Sequence, residues 1–173
     1  ALSATMRECQ RLCTEAGIRF EFTIHASDFI QEMSARLAGD LFGTLPPAFD
    51  AAIANPPYRK ISTDSPERRA LHSIGVETSN LYTGFLAIVI RLLEPNGELV
   101  AITPRSFCNG PYFKPFRELL LAHTALKRIH VFESRDRTFS EDEVLQENII
   151  FHAVKNGTRN RVAISTSHSI DDD

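Results

Sequence analysis

The chain has 173 residues, enough for one domain with a sizeable core. Hydrophobic residues make up 43% and charged residues 24%, an ordinary balance for a globular protein. The net charge of −3 excludes a small basic nucleic-acid module, which needs a positive excess. A catalytic domain gripping nucleic acid with some other part of its molecule remains open. The 3 cysteines, Cys9, Cys13 and Cys108, are too few and odd in number for a disulfide framework, and point to a reducing, cytoplasmic compartment. Cys9 and Cys13 read as packing residues, and His25 and His72 stand at no recognised ligand spacing, so no metal is expected. No apolar run approaches the ~20 residues of a membrane span, and no signal peptide is visible.

Residues 1–16 place Leu2, Met6, Cys9 and Cys13 on one helical face, and Gly17 is suited to end the helix. "IRFEFTIHA" alternates Ile18, Phe20, Phe22 and Ile24 with polar neighbours, which predicts a strand over 18–25. "DFIQEMSARLA" reads as a short helix capped by Ser27 or Asp28. "FDAAIA", residues 49–54, is a short apolar strand. Residues 59–77 are polar and irregular and read as a long loop. "SNLYTGFLAIVIRLLE" is the clearest helix, with Leu81, Phe85, Val89 and Leu92 at helical spacing. "PNG" is a turn, and "ELVAITP" a buried strand stopped by Pro104. "YFKPFRELLLAHT" is a helix with Pro115 near its first turn. "LKRIHVF" and "ENIIFHAV" are strands, "RVAIST" a candidate last one, and "DDD" a solvated tail. Strands alternate with helices and then follow one another, which predicts an α/β sheet, mostly parallel, with a late antiparallel strand.

Ligands of open α/β sheets bind beyond the carboxyl ends of strands. Asn55, Pro56, Pro57 and Tyr58 stand at such an end. One proline would stop the strand; two hold a backbone carbonyl rigidly beside the Asn55 amide oxygen. Two acceptors so placed suit an NH₂ group, and an aromatic ring beside them can stack on a flat base.

"NPPY" resembles the catalytic motif of class I S-adenosylmethionine-dependent amino-methyltransferases that act on adenine in DNA. "NLYTGFLAIVIRLLEPNGELVAITPRSF" resembles that family's helix, turn and next strand, and "FKPFRELLL…LKRIHVFESRDRTFSEDEV…NIIF" its following elements. The likeness covers roughly residues 1–157, a catalytic domain; residues 158–173 match nothing. Its flavour is that of N6-adenine methyltransferases of restriction–modification systems, Taq-like or fused to a nuclease. The resemblance implies that Asn55 and the Pro56 carbonyl accept from the adenine amino group of double-stranded DNA, with Pro57 stiffening the loop. Tyr58 would stack on the flipped base and Phe139 lie at its other side. Asp28 would accept from the cofactor's adenine, with Phe29 beside it and Phe85 on its face. Plainer roles are available: Asp28 as a helix cap, Phe85 as core. Arg59, Lys60, Arg68, Arg69, Arg105 and Lys114 could contact phosphates or simply be solvated. Other amino-methyltransferases, acting on protein glutamine, RNA guanine or DNA cytosine-N4, are alternatives, as is a fragment without cofactor.

The resemblance also implies a gap. The family's glycine-rich loop and following acidic residue cannot be placed, because no GxG occurs. The first two strands of a Rossmann-like sheet would then lie upstream of Ala1. The chain is therefore expected to be part of a larger enzyme, inactive alone, its cofactor site completed by that upstream segment.

Overall fold

The computed structural model describes residues 2–39, 46–132 and 147–167. Helix α1, Leu2–Glu15, ends where Gly17 turns back with φ 72°. It buries no residue. Helix α2, Phe29–Ala38, is capped by Asp28, whose side chain accepts from Gln31 N, and buries Ile30 and Met33. Between them the expected strand does not form: residues 18–26 carry no ladder, and Ile18 and Ile24 are exposed. Alternation gives a segment two faces, but a strand exists only where a neighbour takes its N–H and C=O groups. No described strand pairs with this segment.

Strand β1, Phe49–Ala54, lies at one edge of the sheet. The loop expected over 59–77 contains a helix instead, α3, Pro66–Ser73. Ser65 Oγ accepts from Arg68 N at 3.2 Å, and Pro66 occupies the first turn, where its missing N–H costs nothing. The fully buried Leu71 docks α3 in a cluster with Ile30, Met33, Ile61, Val76 and Ile88. A single apolar anchor in eight residues leaves no helical period to read.

Helix α4, Leu81–Leu92, is apolar nearly all round because it is buried between two clusters. Tyr82, Leu86 and Ile90 face the sheet; Leu81, Ile88 and Leu92 face α2 and α3. Gly84 admits Leu71: a Cβ there would lie 2.6 Å from Leu71 Cδ1. Strand β2, Leu93–Pro104, absorbs the expected Pro95–Asn96–Gly97 turn as a bulge. Asn96 has φ 68°, and the register with β1 jumps from Phe49↔Leu93 to Ala51↔Glu98. A Cβ on Gly97 would lie 2.9 Å from the Glu94 carbonyl oxygen and 3.1 Å from those of Phe49 and Asp50.

Helix α5, Lys114–His123, follows two 3₁₀ turns, Arg105–Cys108 and Pro111–Phe113. Strands β3, Thr124–Phe132, β4, Asn148–Lys155, and β5, Ala163–Ser167, complete a sheet ordered β1-β2-β4-β3-β5. Only β4 runs against its neighbours, so the expected late antiparallel strand is inserted between β2 and β3. The segment expected as a last strand is β5, paired parallel to β3. Leu99, Ala101, Ile149, Phe151 and Ala153 point from β2 and β4 onto α4 and α5. Among the described residues the other sheet face is open, with the paired Ile53 90% and Val100 36% exposed.

Candidate active site at the end of the first strand

Asn55 follows the last residue of β1, and the two prolines carry the chain across the carboxyl end of the sheet. Pro56 is buried, Pro57 exposed, Tyr58 half-buried. The Tyr58 hydroxyl stands 3.1 Å from Asn55 Oδ1 and 3.1 Å from the Ile102 carbonyl oxygen of β2. Its single proton serves these two acceptors together. The phenol therefore fixes the Asn55 amide against the neighbouring strand. An amide oxygen has two lone pairs, so Asn55 keeps capacity for another donor.

The residues after Tyr58 are tied down by a short ladder. Leu81 N donates to the Arg59 carbonyl at 2.9 Å and Ile61 N to the Ser79 carbonyl at 2.8 Å, around a Lys60–Asn80 bridge. The loop thus hangs on the N-terminus of α4, which also supplies its floor. Tyr82, 2% exposed, meets the Tyr58 ring edge-on at 6.0 Å and 81°, and lies 5.9 Å from Phe113. Its hydroxyl lies 3.3 Å from Ser106 Oγ. Burial pushes both phenols up to about 12, Ser106 offsetting part of the rise at Tyr82. Both therefore stay neutral O–H donors at physiological pH.

About one turn after Tyr82 on the same helix, Phe85 stacks on Phe29, centroids 5.0 Å apart and planes 19° off parallel. The two rings stack on one another, so a flat ligand would cover this pair and not enter between them. Asp28, next to Phe29, is exposed and spends Oδ1 on the Gln31 amide at 3.0 Å. Cap and ligand acceptor are compatible roles, since a carboxylate has about four lone-pair sites. Gln31 Nε2, in the turn that Asp28 caps, is buried with no hydrogen-bond partner. A carboxylate, an orphaned amide donor and an aromatic surface together fit the adenine end of a nucleoside-like cofactor.

Five of the six basic side chains read as phosphate contacts are engaged within the chain. Arg59 pairs with Glu67 at 2.6 Å, Arg105 with Glu147 at 3.0 Å, and Lys114 approaches Glu118 at 3.7 Å. Arg68 donates to the Thr78 carbonyl and reaches Glu77, and Arg69 donates to the Asp64 carbonyl. Except for the Lys114 pair within α5, they tie loop segments to one another or to α3. Phe139 lies outside the described residues. Sequence reasoning did not single out Tyr82 or Arg117. Arg117 Nη1 donates to the carbonyls of Phe107, Asn109 and Gly110 at 3.1, 3.2 and 2.9 Å, gathering the loop after β2. Tyr82 carried one signal: a phenol in an otherwise apolar helix needs a partner for its hydroxyl.

Residues 14–139, from α1 through the strand-end loops, match the Eco57I restriction-modification methylase family. The chain belongs to that family. It is 47% identical over 154 residues to the type II methyltransferase M.PstI of Providencia stuartii, covering 89% of this chain and 30% of that protein. It is 51% identical over 119 residues to the type II methyltransferase M.BsuBI of Bacillus subtilis, covering 69% of this chain and 24% of that one. The chain thus spans under a third of the curated relatives it matches. Its fold is that of class I S-adenosylmethionine-dependent methyltransferases. One of Listeria monocytogenes superposes with TM-score 0.58 at 14% identity, over 78% of this chain and 41% of that one. The type IIG restriction endonuclease BpuSI superposes with TM-score 0.57 at 22% identity, over 69% and 15%. The Listeria monocytogenes protein is described as S-adenosylmethionine-dependent, and in this chain Asp28, Phe29 and Phe85 are the candidate holders of such a cofactor.

Proposed function

We propose that the Eco57I-family protein containing this chain is an N6-adenine DNA methyltransferase of a bacterial or archaeal restriction–modification system, working in the cytoplasm on double-stranded DNA. The observation that carries the reading is the Asn55 amide oxygen, fixed at the strand end by Tyr58 with acceptor capacity to spare. Asn55 Oδ1 and the Pro56 carbonyl accept the two hydrogens of the adenine amino group. That draws the nitrogen lone pair out of conjugation with the ring and aims it as a nucleophile. Tyr58 stacks on the extruded base, the role of second base contact falling to Phe139 by the resemblance alone. S-adenosylmethionine, when bound, supplies the electrophilic methyl group. Asp28 and Gln31 meet the adenine end of the cofactor beside the Phe29–Phe85 pair. The glycine-rich loop and ribose-binding acid belong to an upstream segment, without which this chain is inactive.

Asn55→Ala in the full-length protein tests the chemistry. Methyl transfer to DNA should fall at least 100-fold, while cofactor affinity measured by calorimetry stays within about threefold, because Asn55 acts only on the transferring nitrogen. A large loss of cofactor binding would mean that Asn55 has been given the wrong role.

A further inference from the structure

We infer that Tyr82 and Ser106 form a positioning pair that holds the Tyr58 ring at the angle required for base stacking. This rests on the reading of residues 55–58 as the base-binding loop. Three observations converge. Tyr82 is the buried ring against which Tyr58 packs edge-on, so the tilt of one sets the tilt of the other. Tyr58 is anchored at its far tip by the Ile102 carbonyl, which leaves rotation about the ring's long axis to be fixed from the side, where Tyr82 stands. Tyr82 is itself fixed by its hydroxyl, 3.3 Å from Ser106 Oγ in the 3₁₀ turn after β2.

A phenylalanine would fill the same core space with no hydroxyl to desolvate, so the buried phenol needs a partner to be tolerated. Ser106 is that partner, and it is not free to drift. The carbonyls of Phe107, Asn109 and Gly110 converge on Arg117 of α5, which holds the turn carrying Ser106. The chain of contacts therefore runs from α5 through the Ser106 turn to Tyr82 and the face of Tyr58. It joins the two loops that flank the strand ends, residues 55–58 and 105–110. Neither Tyr82 nor Ser106 reaches the reacting atoms; both act through Tyr58.

The test uses full-length protein, tritiated S-adenosylmethionine and unmethylated bacteriophage lambda DNA. Tyr82→Phe and Ser106→Ala should each lower kcat about three- to tenfold, the range for loss of one hydrogen bond. KM for DNA and cofactor affinity should stay within about twofold, since the pair acts on orientation in the transition state. The double variant should be no slower than the worse single one, because both remove the same contact. Ser106→Thr, which retains the hydroxyl, should restore the rate. Unchanged kcat in both single variants, with Asn55→Ala inactive, would overturn the pair and leave the proposed chemistry standing. Full activity of Asn55→Ala would overturn the chemistry itself. If Tyr82→Phe proves unstable to heat, the exposed Ser106 decides: its alanine variant must be slow for the inference to survive.

Discussion

At Asp28 one carboxylate is placed to do two jobs, and substitution separates them. It caps α2 through the Gln31 amide and is proposed to accept from the cofactor's adenine. Asparagine caps helices as well as aspartate, whereas alanine costs about 1 kcal/mol. Asp28→Asn should therefore leave the melting temperature unchanged yet weaken S-adenosylmethionine binding at least fivefold in calorimetry. Asp28→Ala should lose both; equal affinity of wild type and Asp28→Asn would reduce Asp28 to a cap. Tyr58 and Tyr82 make a prediction of opposite kind. Their phenols ionise only near 12 in the folded protein, against 10.0 ordinarily, so folding favours their neutral forms. The stability they contribute is complete below about pH 10 and lost as pH rises toward 12. A chemical-denaturation series at increasing pH should show that decline, absent in a Tyr58→Phe, Tyr82→Phe double variant. At this scale much of the candidate site's local geometry is legible in four letters, Asn55 to Tyr58, because two prolines stiffen the chain there. The Tyr58 hydroxyl's second acceptor was not legible. The Ile102 carbonyl is 44 residues away in sequence and becomes a neighbour only when β1 and β2 pair.

Among the elements, α3 shows how far polarity misleads. Its sequence is mostly polar, yet Leu71 is fully buried against the pocket left by Gly84. Leu71→Ala should destabilise the protein by about 2–5 kcal/mol in urea unfolding, as for other fully buried leucines. A change under about 0.5 kcal/mol would be expected of a solvated loop and would contradict the packing described. The Ser65-Pro66-Glu67 start was readable as a helix signal, but one buried side chain produces no period to extend it. The segment at residues 18–26 errs in the other direction. Its alternation of Ile18, Phe20, Phe22 and Ile24 is a clear strand pattern, and it takes no strand because no described strand offers it a ladder. Helix α4 and strands β1 to β5 were legible because their apolar runs are long or their boundaries sharp. The bulge at Asn96 and Gly97 was legible only as a turn, since pairing with β1 decides that the chain continues in the same direction.

Over the whole molecule, one sheet face is packed and the other open among the described residues, and β1 stands at an edge with Ile53 exposed. We propose that the upstream segment of the full protein supplies the strands and cofactor loop that complete this side. Calorimetry on this chain alone should then detect no S-adenosylmethionine binding, and addition of the upstream segment should restore it; tight binding by the chain alone would refute that completion. The common direction of β1, β2 and β3 was legible from the alternation of helices and strands, and a late antiparallel strand from the strands that follow in succession, whereas its insertion between β2 and β3 was not. The chain spans under a third of its curated relatives, so the substrate is tested on the full-length protein. The most direct test incubates full-length protein with methyl-labelled S-adenosylmethionine and unmethylated lambda DNA, digests the DNA to nucleosides, and separates them. Label should appear as N6-methyladenosine of the deoxy series and be absent with Asn55→Ala. Label in N4-methylcytosine, or in protein or RNA in place of DNA, would contradict the account.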